Sequence, residues 1–331
     1  MTRGCSCMAH NLSGQRFAAP PSRLSMWTLM AFYAVKPLVP RAIQLYLRRR
    51  RSRYLLANHL HKWPVDLRTN DKPRGWQGWP NNSKFALVLT HDIESTRGVE
   101  LAGRVMDLES ELGFRSSFNF VAEDYPVPPS LRARMASNGF EVGLHGIHHT
   151  PGLYFSEASF LRNARKINRY LGDWGSVGFR SPAMYRNLEW LHKFDIKYDA
   201  STFDTDPFEP QPDGAQTIFP FLVDGGDNSS AYVELPYTLP QVFTLFVILQ
   251  EQTIDIWKRK LEWLAENGGM ALVITHPDYM HFGDGKRGRE QYPATYYKEL
   301  LEHIKSEYEG LYWHALPRDV AGFWKERRCG H

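Results

Sequence analysis

Short apolar runs alternate with longer amphipathic stretches from residue 85 to residue 315, and this alternation constrains the fold more than any other feature of the sequence. The predicted strands are 85–90, 116–121, 141–146, 177–180, 198–201, 232–235, 271–275 and 311–315. The predicted helices are 99–112, 131–138, 156–171, 187–194, 254–267 and 294–308. Strands that alternate with helices usually pair in parallel. The sequence therefore predicts an α/β fold, either a barrel or an open doubly wound sheet.

The composition is that of a folded protein of enzyme size. Hydrophobic residues make up 43% of the 331 residues, which excludes disordered, collagen-like and disulfide-stapled chains. Cysteines occur only at positions 5, 7 and 329, which provides no disulfide framework and agrees with a reducing compartment. Since no internal repeat is visible, we expect one catalytic domain over 83–326. A disordered extension (1–25) and a basic helical segment with a Pro- and Trp-rich connector (26–82) would precede it.

The charge of the chain is unevenly distributed. Residues 1–65 hold eleven Lys and Arg and no acidic residue, whereas the rest has 29 basic and 36 acidic side chains. Because the body is acidic, no nucleic-acid partner is expected. The apolar stretch 26–47 and the basic run 48–53 are typical either of a helix on an anionic membrane surface or of a helix packed on the body with a solvated basic end. We expect a cytoplasmic protein. On the first interpretation, residues 26–53 would hold it at the cytoplasmic face of the membrane. In either case we expect this segment to be separate from the chemistry.

Titratable side chains cluster where four predicted strands end. These clusters are Thr90-His91-Asp92-Ile93-Glu94, His145-Gly146-Ile147-His148-His149, Arg180-Ser181-Pro182 and Thr275-His276-Pro277-Asp278. Active sites of parallel α/β folds form at the carboxyl ends of the strands. Asp92 and Glu94 are two residues apart and share a face of a strand, while His145 and His149 are four apart and share one side. Two imidazoles and a carboxylate around an open position form a common site for a catalytic divalent metal.

The order of these clusters resembles the five motifs of the polysaccharide deacetylase family, also called the NodB-homology or carbohydrate esterase 4 family. Residues 90–94 are similar to its first motif, commonly Thr-Phe-Asp-Asp-Gly, and 145–149 to its second, His-(Ser/Thr)-x-x-His, with Gly in place of Ser or Thr. Residues 180–182 match the third, Arg-x-Pro, while 198–201 and 274–276 resemble the fourth and fifth. Glu94 departs from the family because Asp usually stands there, and its extra methylene moves the carboxylate by about 1.5 Å.

The resemblance implies a distorted (β/α)7 barrel with an N-terminal helical extension. It also implies a hydrolase of non-peptide carbon–nitrogen bonds that removes acetyl groups, N-acetyl in the first place, from an amino sugar, oligosaccharide or polysaccharide. The cofactor would be one divalent metal held by Glu94, His145 and His149. Zinc is the first expectation, and cobalt, nickel or iron would suit the same ligands.

The resemblance also assigns roles to the residues around the metal. Asp92 would act as general base and His276 as general acid, with Arg180 fixing Asp92 through a charge-assisted bond. Asp199 would orient His276 from outside the site. Pro182 and Tyr279 are further candidates for supporting the site or contacting the substrate.

Two other functions stay open at this point. The chain could be a catalytically impaired, carbohydrate-binding member of the same fold, with Glu94 as a symptom, or a metal-dependent amidohydrolase of a non-sugar amide. The segment 206–231 has no helix signal and is long for a connection. Its Phe208, Phe219 and Phe221 could stack on sugar rings as part of a lid, or they could simply pack the loop onto the barrel.

Overall fold

Strand β1 (Phe85–Ile93) lies at the centre of the sheet, and all nine of its residues are buried. A parallel strand that is covered on both faces needs such a nearly continuous apolar sequence. It pairs in parallel with β8 (Met270–Thr275) along 86–91, with β11 (Tyr312–His314) along 85–87 and with β2 (Ser117–Phe120) along 90–93. This register places the carboxyl end of β1 beside those of β2 and β8.

The computed structural model describes residues 38–59, 63–209, 211, 214–225 and 231–327. The predicted extension 1–25, the first part of the basic segment (26–37) and the three cysteines lie outside the described residues. The predicted catalytic domain begins two residues before β1 and ends with the last helix, at Glu326.

Beyond β2 the sheet continues through five more strands to its far edge. In spatial order these are β3 (Glu141–Leu144), β4 (Gly178–Phe179), β5 (Tyr198–Asp199), β7 (Tyr232–Glu234) and β6 (Phe221–Val223). Only β6 is antiparallel to its neighbour. Backbone N–H groups of Thr238 and Leu239, which follow β7, donate to the carbonyl oxygen of Leu272 in β8. The sheet thus curls towards closure, and the predicted distorted (β/α) barrel is confirmed.

Six helices accompany the strands of the barrel. They are α2 (Thr96–Leu112), α3 (Pro129–Ser137), α4 (Glu157–Trp174), α5 (Asp255–Asn267), α6 (Ala294–Tyr308) and α7 (Pro317–Glu326). The side chain of Ser156 accepts a hydrogen bond from the backbone N–H of Ser159 and so caps α4. Further elements include a π-helix (Phe243–Leu249), a two-stranded sheet of β9 (Met280–His281) and β10 (Tyr292–Pro293), and several 3-10 turns.

Two sequence-based predictions about secondary structure were wrong. The predicted helix 187–194 is only a 3-10 turn, Trp190–Lys193, and the chain turns to an extended backbone at Phe194 (φ −96°, ψ 144°). The predicted loop 206–231 contains strand β6, which pairs with β7. Phe219 and Phe221 are buried in the core, and the ring of Phe208 packs 5.1 Å from that of Trp63. The aromatic side chains of this segment therefore hold it on the barrel.

Helix α1 (Arg41–His59) packs against the π-helix. Leu45 is buried against Phe243 and Val247, and the guanidinium of Arg49 donates two hydrogen bonds, of 3.1 and 3.0 Å, to the carbonyl oxygen of Val247. The guanidinium of Arg48 lies 4.8 Å from the ring centre of Phe243. One face of the basic segment is thus part of the folded body. Within the described ranges, no helix is long and apolar enough to cross a membrane.

Candidate active site

The carboxyl ends of β1, β3, β4 and β8 meet on one face of the barrel. They bring together six residues that the sequence singled out, namely Asp92, Glu94, His145, His149, Arg180 and His276. Five of them lie at the end of a strand or directly follow one, so the parallel register places them at the same edge. His149 lies five residues beyond β3, and the turn after that strand brings it back to the site.

Glu94, His145 and His149 form a cluster whose ligand atoms all lie within 4.8 Å of one another. Oε1 of Glu94 is 3.0 Å from Nε2 of His149. This nitrogen is buried and nevertheless makes no hydrogen bond to any described residue, so the contact lacks hydrogen-bond alignment. Two donor atoms that converge without bonding each other suit a shared cation. One carboxylate and two imidazoles also form a donor set typical of catalytic metal sites, and the cluster therefore fits a divalent metal.

The ring of His145 is oriented by the backbone. Its Nδ1 lies 3.0 Å from the carbonyl oxygen of Arg180, which can only accept, so Nδ1 carries the proton and donates. Nε2 is left as the lone-pair nitrogen that faces the cluster. Burial lowers the pKa of His145 to about 4, so this imidazole is neutral at neutral pH. A metal ligand requires that protonation state.

Glu94 is held in its ionised form. Burial acts to raise its pKa, but the charges of His149 and His276 and a hydrogen bond from the Tyr279 hydroxyl to Oε2 outweigh it, so the pKa lies well below its usual range. Each carboxylate oxygen of Glu94 therefore has a neighbour. The Tyr279 hydroxyl lies at Oε2, and the Nε2 atoms of His149 and His276 lie near Oε1. For His149 the effect of burial is outweighed by the charge of Glu94, which raises its pKa. A metal would bind there in exchange for a proton.

Asp92 is buried beside the cluster and is bonded through one oxygen. Its Oδ1 accepts a hydrogen bond of 2.8 Å from Asn119 and one of 3.0 Å from Nη1 of Arg180. Arg180 is fixed in turn by bonds to Thr90 Oγ1 and to the carbonyl oxygen of Ala200, both 2.8 Å long. Burial acts to raise the pKa of Asp92. The charge of Arg180, together with His145, His276 and the hydrogen bond from Asn119, outweighs this effect, so the pKa lies below its usual value. The side chain is an ionised, immobilised proton acceptor.

His276 directly follows β8, which pairs with β1. Its Nε2 is 3.5 Å from Oε1 of Glu94, and its ring centre is 5.4 Å from that of Tyr279. Its Nδ1 is buried and has no hydrogen-bond partner in the part of the chain that the structure describes.

The predicted contact between Asp199 and His276 is wrong. Asp199 accepts hydrogen bonds from the backbone N–H and the hydroxyl of Ser201, at 3.0 and 2.7 Å. It is also the register partner of Glu234 on the neighbouring strand β7. A carboxylate two residues before a Ser closes a local turn more readily than it reaches another strand. Asp199 thus holds the turn that contains Ala200, whose carbonyl oxygen accepts a hydrogen bond from Arg180, and it does not orient His276.

Pro182 acts on the backbone of the second motif. Gly146 has φ +79°, and a Cβ there would lie 2.6 Å from Cγ of Pro182. A Ser or Thr at 146 would therefore be both strained and too close to the ring. The structure thus gives a physical reason for the glycine that departs from the family pattern.

Two further residues support the site: Asn119, which sequence reasoning missed, and Asp278, to which it gave no role. Asn119 donates to Asp92, and Asp278 accepts hydrogen bonds from the backbone N–H of Glu94, at 3.1 Å, and from the hydroxyl of Ser95. The alternation Ser-Phe-Asn-Phe in β2 is the signal that could have pointed to Asn119, because it turns polar side chains to one face. Asp278 belongs to the fourth strand-end cluster of the sequence, where it is the first titratable residue after His276.

No family model matches the sequence, and no curated protein matches it either. Solved structures do match. The chain is similar to a protein of Mycobacterium smegmatis assigned as a polysaccharide deacetylase, with 17% identity, a TM-score of 0.60 and coverage of 78% of this chain and 96% of that one. It is similar to PuuE allantoinase, with 16% identity, a TM-score of 0.60 and coverage of 80% and 97%. An assigned polysaccharide deacetylase of Pseudomonas aeruginosa has 18% identity, a TM-score of 0.58 and coverage of 80% and 98%. The chain therefore has the NodB-type fold that polysaccharide deacetylases share.

Proposed function

We propose that this protein is a metal-dependent hydrolase that removes acetyl groups, N-acetyl in the first place, from an amino sugar, oligosaccharide or polysaccharide. One observation carries the proposal: a metal-type cluster lies next to an ionised, immobilised carboxylate, Asp92, and an imidazole, His276, at the carboxyl edge of the barrel. The two deacetylase structures with the same fold support it. Three kinds of group in one place suit hydrolysis of an amide better than carbohydrate binding alone.

The proposed cofactor is one divalent metal held by Glu94, His145 and His149, with zinc as the first candidate and cobalt, nickel or iron as alternatives. When bound, such a metal polarises the acyl oxygen and lowers the pKa of a water molecule. Tyr279 keeps Glu94 in place through Oε2, and the carbonyl oxygen of Arg180 keeps His145 in its tautomer.

The residues of this chain would move the protons. Asp92 accepts the proton of the attacking water at Oδ2, because its bonds to Asn119 and Arg180 both use Oδ1. His276 donates a proton to the nitrogen as the carbon–nitrogen bond breaks, since a free amide anion is a poor leaving group. Water is consumed, and acetate and the amine are released.

A second candidate function is hydrolysis of a non-sugar amide. The similarity to PuuE allantoinase, which has the same TM-score of 0.60 as the first deacetylase structure, favours it. That protein has the same fold and is named as an allantoinase, not as a deacetylase. The proposed proton transfers would be unchanged, and only the residues around the leaving group would recognise a different molecule.

Metal analysis and an acetate-release assay test both candidates. We expect one bound metal per chain and release of acetate from acetylated chito-oligosaccharides by the wild type. The variants Asp92→Asn and His145→Ala should lose this activity. Asp107→Asn, an exposed carboxylate on α2, and His303→Ala, on α6, are matched controls that should retain activity. The wild-type protein is loaded with each metal in turn. If it then hydrolyses neither acetylated sugars nor simple amides, the proposal that it is an enzyme is refuted. Hydrolysis of simple amides alone would select the second candidate.

A further inference from the structure

The solvent face of α1 is unusually apolar for an exposed surface. Among the described residues, five of the seven large hydrophobic side chains that are exposed lie in or just before this helix. They are Leu38, Ile43, Tyr46, Leu47 and Tyr54. Tyr54 is 71% exposed and Leu47 is 55% exposed. Apolar side chains concentrated in this way on one element mark an interaction surface, whereas isolated ones do not.

The helix has two distinct faces. At about 100° per residue, Ile43, Leu47, Arg50 and Tyr54 lie on the side opposite Leu45. Leu45 and Ser52 are buried, so the inner face is used for packing on the body. We call the side with Ile43, Leu47, Tyr54 and the flanking Arg50, Arg51 and Arg53 the outer face. It pairs a line of apolar side chains with cations.

The charged side chains of helix α1 itself are all basic. Helix α1 contains six Arg and no Asp or Glu. On the side of the π-helix, Arg49 lines a cavity of about 380 Å³ together with Arg287 and Arg289 of the loop after β9, and Glu251 is the acidic residue in its lining. These arginines lie on the inner side of the helix. The outer face has its own cations, the exposed Arg50, Arg51 and Arg53, which complement an anionic partner.

Helix α1 also borders the candidate active site. The ring of Phe243, over which Arg48 is stacked, lies 5.0 Å from the ring of Tyr279, and Tyr279 donates to Glu94. Arg41 forms an ion pair with Glu290 and is close enough to interact electrostatically with Glu94. Helix α1 thus packs next to the candidate site, a proximity that the sequence did not indicate.

We propose that the outer face of α1 docks on an anionic lipid bilayer. Ile43, Leu47 and Tyr54 would enter the boundary between headgroups and acyl chains, and the arginines would contact lipid phosphates. Resting on the proposed function, the acetylated sugar is then one carried on the same lipid surface, beside the site that α1 borders. A second copy of the chain suits this face less well, because a twofold contact would bring the arginines of both copies together.

Vesicle flotation of the full-length, metal-loaded protein tests the docking. We expect binding to vesicles of phosphatidylglycerol and phosphatidylcholine at low salt, and little binding to phosphatidylcholine alone. Each arginine near the surface contributes about fivefold, that is about 1 kcal/mol, so the variant R50Q/R51Q/R53Q should bind about 100-fold more weakly. Leu47→Asn should weaken binding about tenfold through lost apolar burial.

Matched controls separate this surface from charge or hydrophobicity in general. R162Q/R165Q/R169Q makes the same charge change on exposed positions of α4, and Leu67→Asn removes an apolar side chain that is 73% exposed elsewhere. Both should bind vesicles like wild type. Equal binding by wild type and R50Q/R51Q/R53Q would overturn the docking and place the contact elsewhere, for example in 26–37. A dimer in light scattering that Leu47→Asn dissociates would overturn it too, since a second copy would then occupy the face.

Activity on two forms of one substrate separates the docking from the catalysis. R50Q/R51Q/R53Q should release acetate from a soluble acetylated oligosaccharide at the wild-type rate and lose most of its rate on a lipid-anchored acetylated sugar in the same vesicles. Equal losses on both forms would contradict the proposal, because the arginines would then act through the active site. If wild type acts on neither form, the proposed function fails, and vesicle binding by the variants still decides the docking.

Discussion

Nη1 of Arg180 lies 3.0 Å from Oδ1 of Asp92, and the two side chains are only 1% and 3% exposed. Burying two opposite charges rarely stabilises a fold more than apolar side chains of similar volume would. Here Asn119 and Thr90 satisfy further polar atoms of the pair. Nη2 of Arg180 is nevertheless buried without a hydrogen-bond partner among the described residues. Such a costly pair beside a metal-type cluster is better explained by the need to hold a carboxylate ionised at a fixed position.

Removing Arg180 alone should be costly. Arg180→Met leaves Asp92 as a buried charge without its counter-ion, so we expect a loss of about 3–5 kcal/mol in the free energy of unfolding at neutral pH. The pKa of Asp92 rises in this variant, so the loss should shrink as the pH falls. Urea unfolding of Arg180→Met, Asp92→Asn and the double variant measures the coupling. A double variant as unstable as the sum of the two single variants would disprove the coupling.

Tyr279 should matter for metal affinity. Tyr279→Phe removes the hydrogen bond to Oε2 of Glu94, and the loss of such a supporting bond typically weakens metal binding about 10- to 100-fold. Calorimetric titration with zinc measures this. Tyr292→Phe is a matched control, since the Tyr292 hydroxyl has no hydrogen-bond partner within the described ranges and its loss should leave the affinity unchanged. Equal affinities for all three proteins would show that Tyr279 does not support the ligand.

Glu94→Asp tests whether this site is built for the longer side chain. Asp is the residue that the family pattern has at this position, but here it would withdraw the carboxylate by about 1.5 Å from both Tyr279 and His149. We expect zinc to bind about tenfold more weakly, with the fold intact by circular dichroism. Tighter zinc binding by the Asp variant would mean that Glu94 is a defect of the site.

Stability should fall as the pH rises from about 4 to about 8, because of a buried pair of acids away from the metal cluster. The hydroxyl of Tyr237 lies 2.8 Å from Asp206 Oδ2 and 2.7 Å from Glu209 Oε1, and Gln241 also donates to Glu209. One hydroxyl proton serves only one carboxylate, so the other carboxyl must be protonated and donate. Burial and the neighbouring charge of Glu209 raise the pKa of Asp206 to about 8.

The sign of this dependence follows from the raised pKa of Asp206. The folded protein holds a proton that the unfolded chain releases near pH 4, so the stabilisation is complete below that pH and is lost up to about pH 8. The proton on Asp206 contributes at most about 1.4 kcal/mol per pH unit to the slope. Urea unfolding across this range should show the slope in wild type and in the exposed control Asp107→Asn. In Asp206→Asn the slope should be smaller, and an unchanged slope would refute the assignment.

The sequence by itself determined the strand order along the chain and the residues at the strand ends. Apolar periodicity is a local property, so β1, α4 and α6 could be read from neighbouring residues alone. Titratable groups that follow buried strands, such as Asp92 and His276, are visible in the same way. Parallel pairing then requires that they meet, whatever the details of the packing.

Only the tertiary structure decided which groups touch. Asp92 receives Asn119 from the next strand, Asp199 turns to Ser201 and not to His276, and Arg48 stacks on a π-helix that no local pattern indicates. Strand β6 forms because β7 is there to pair with it. Such contacts depend on register and on side-chain direction between residues far apart in the chain, and a local sequence pattern carries neither.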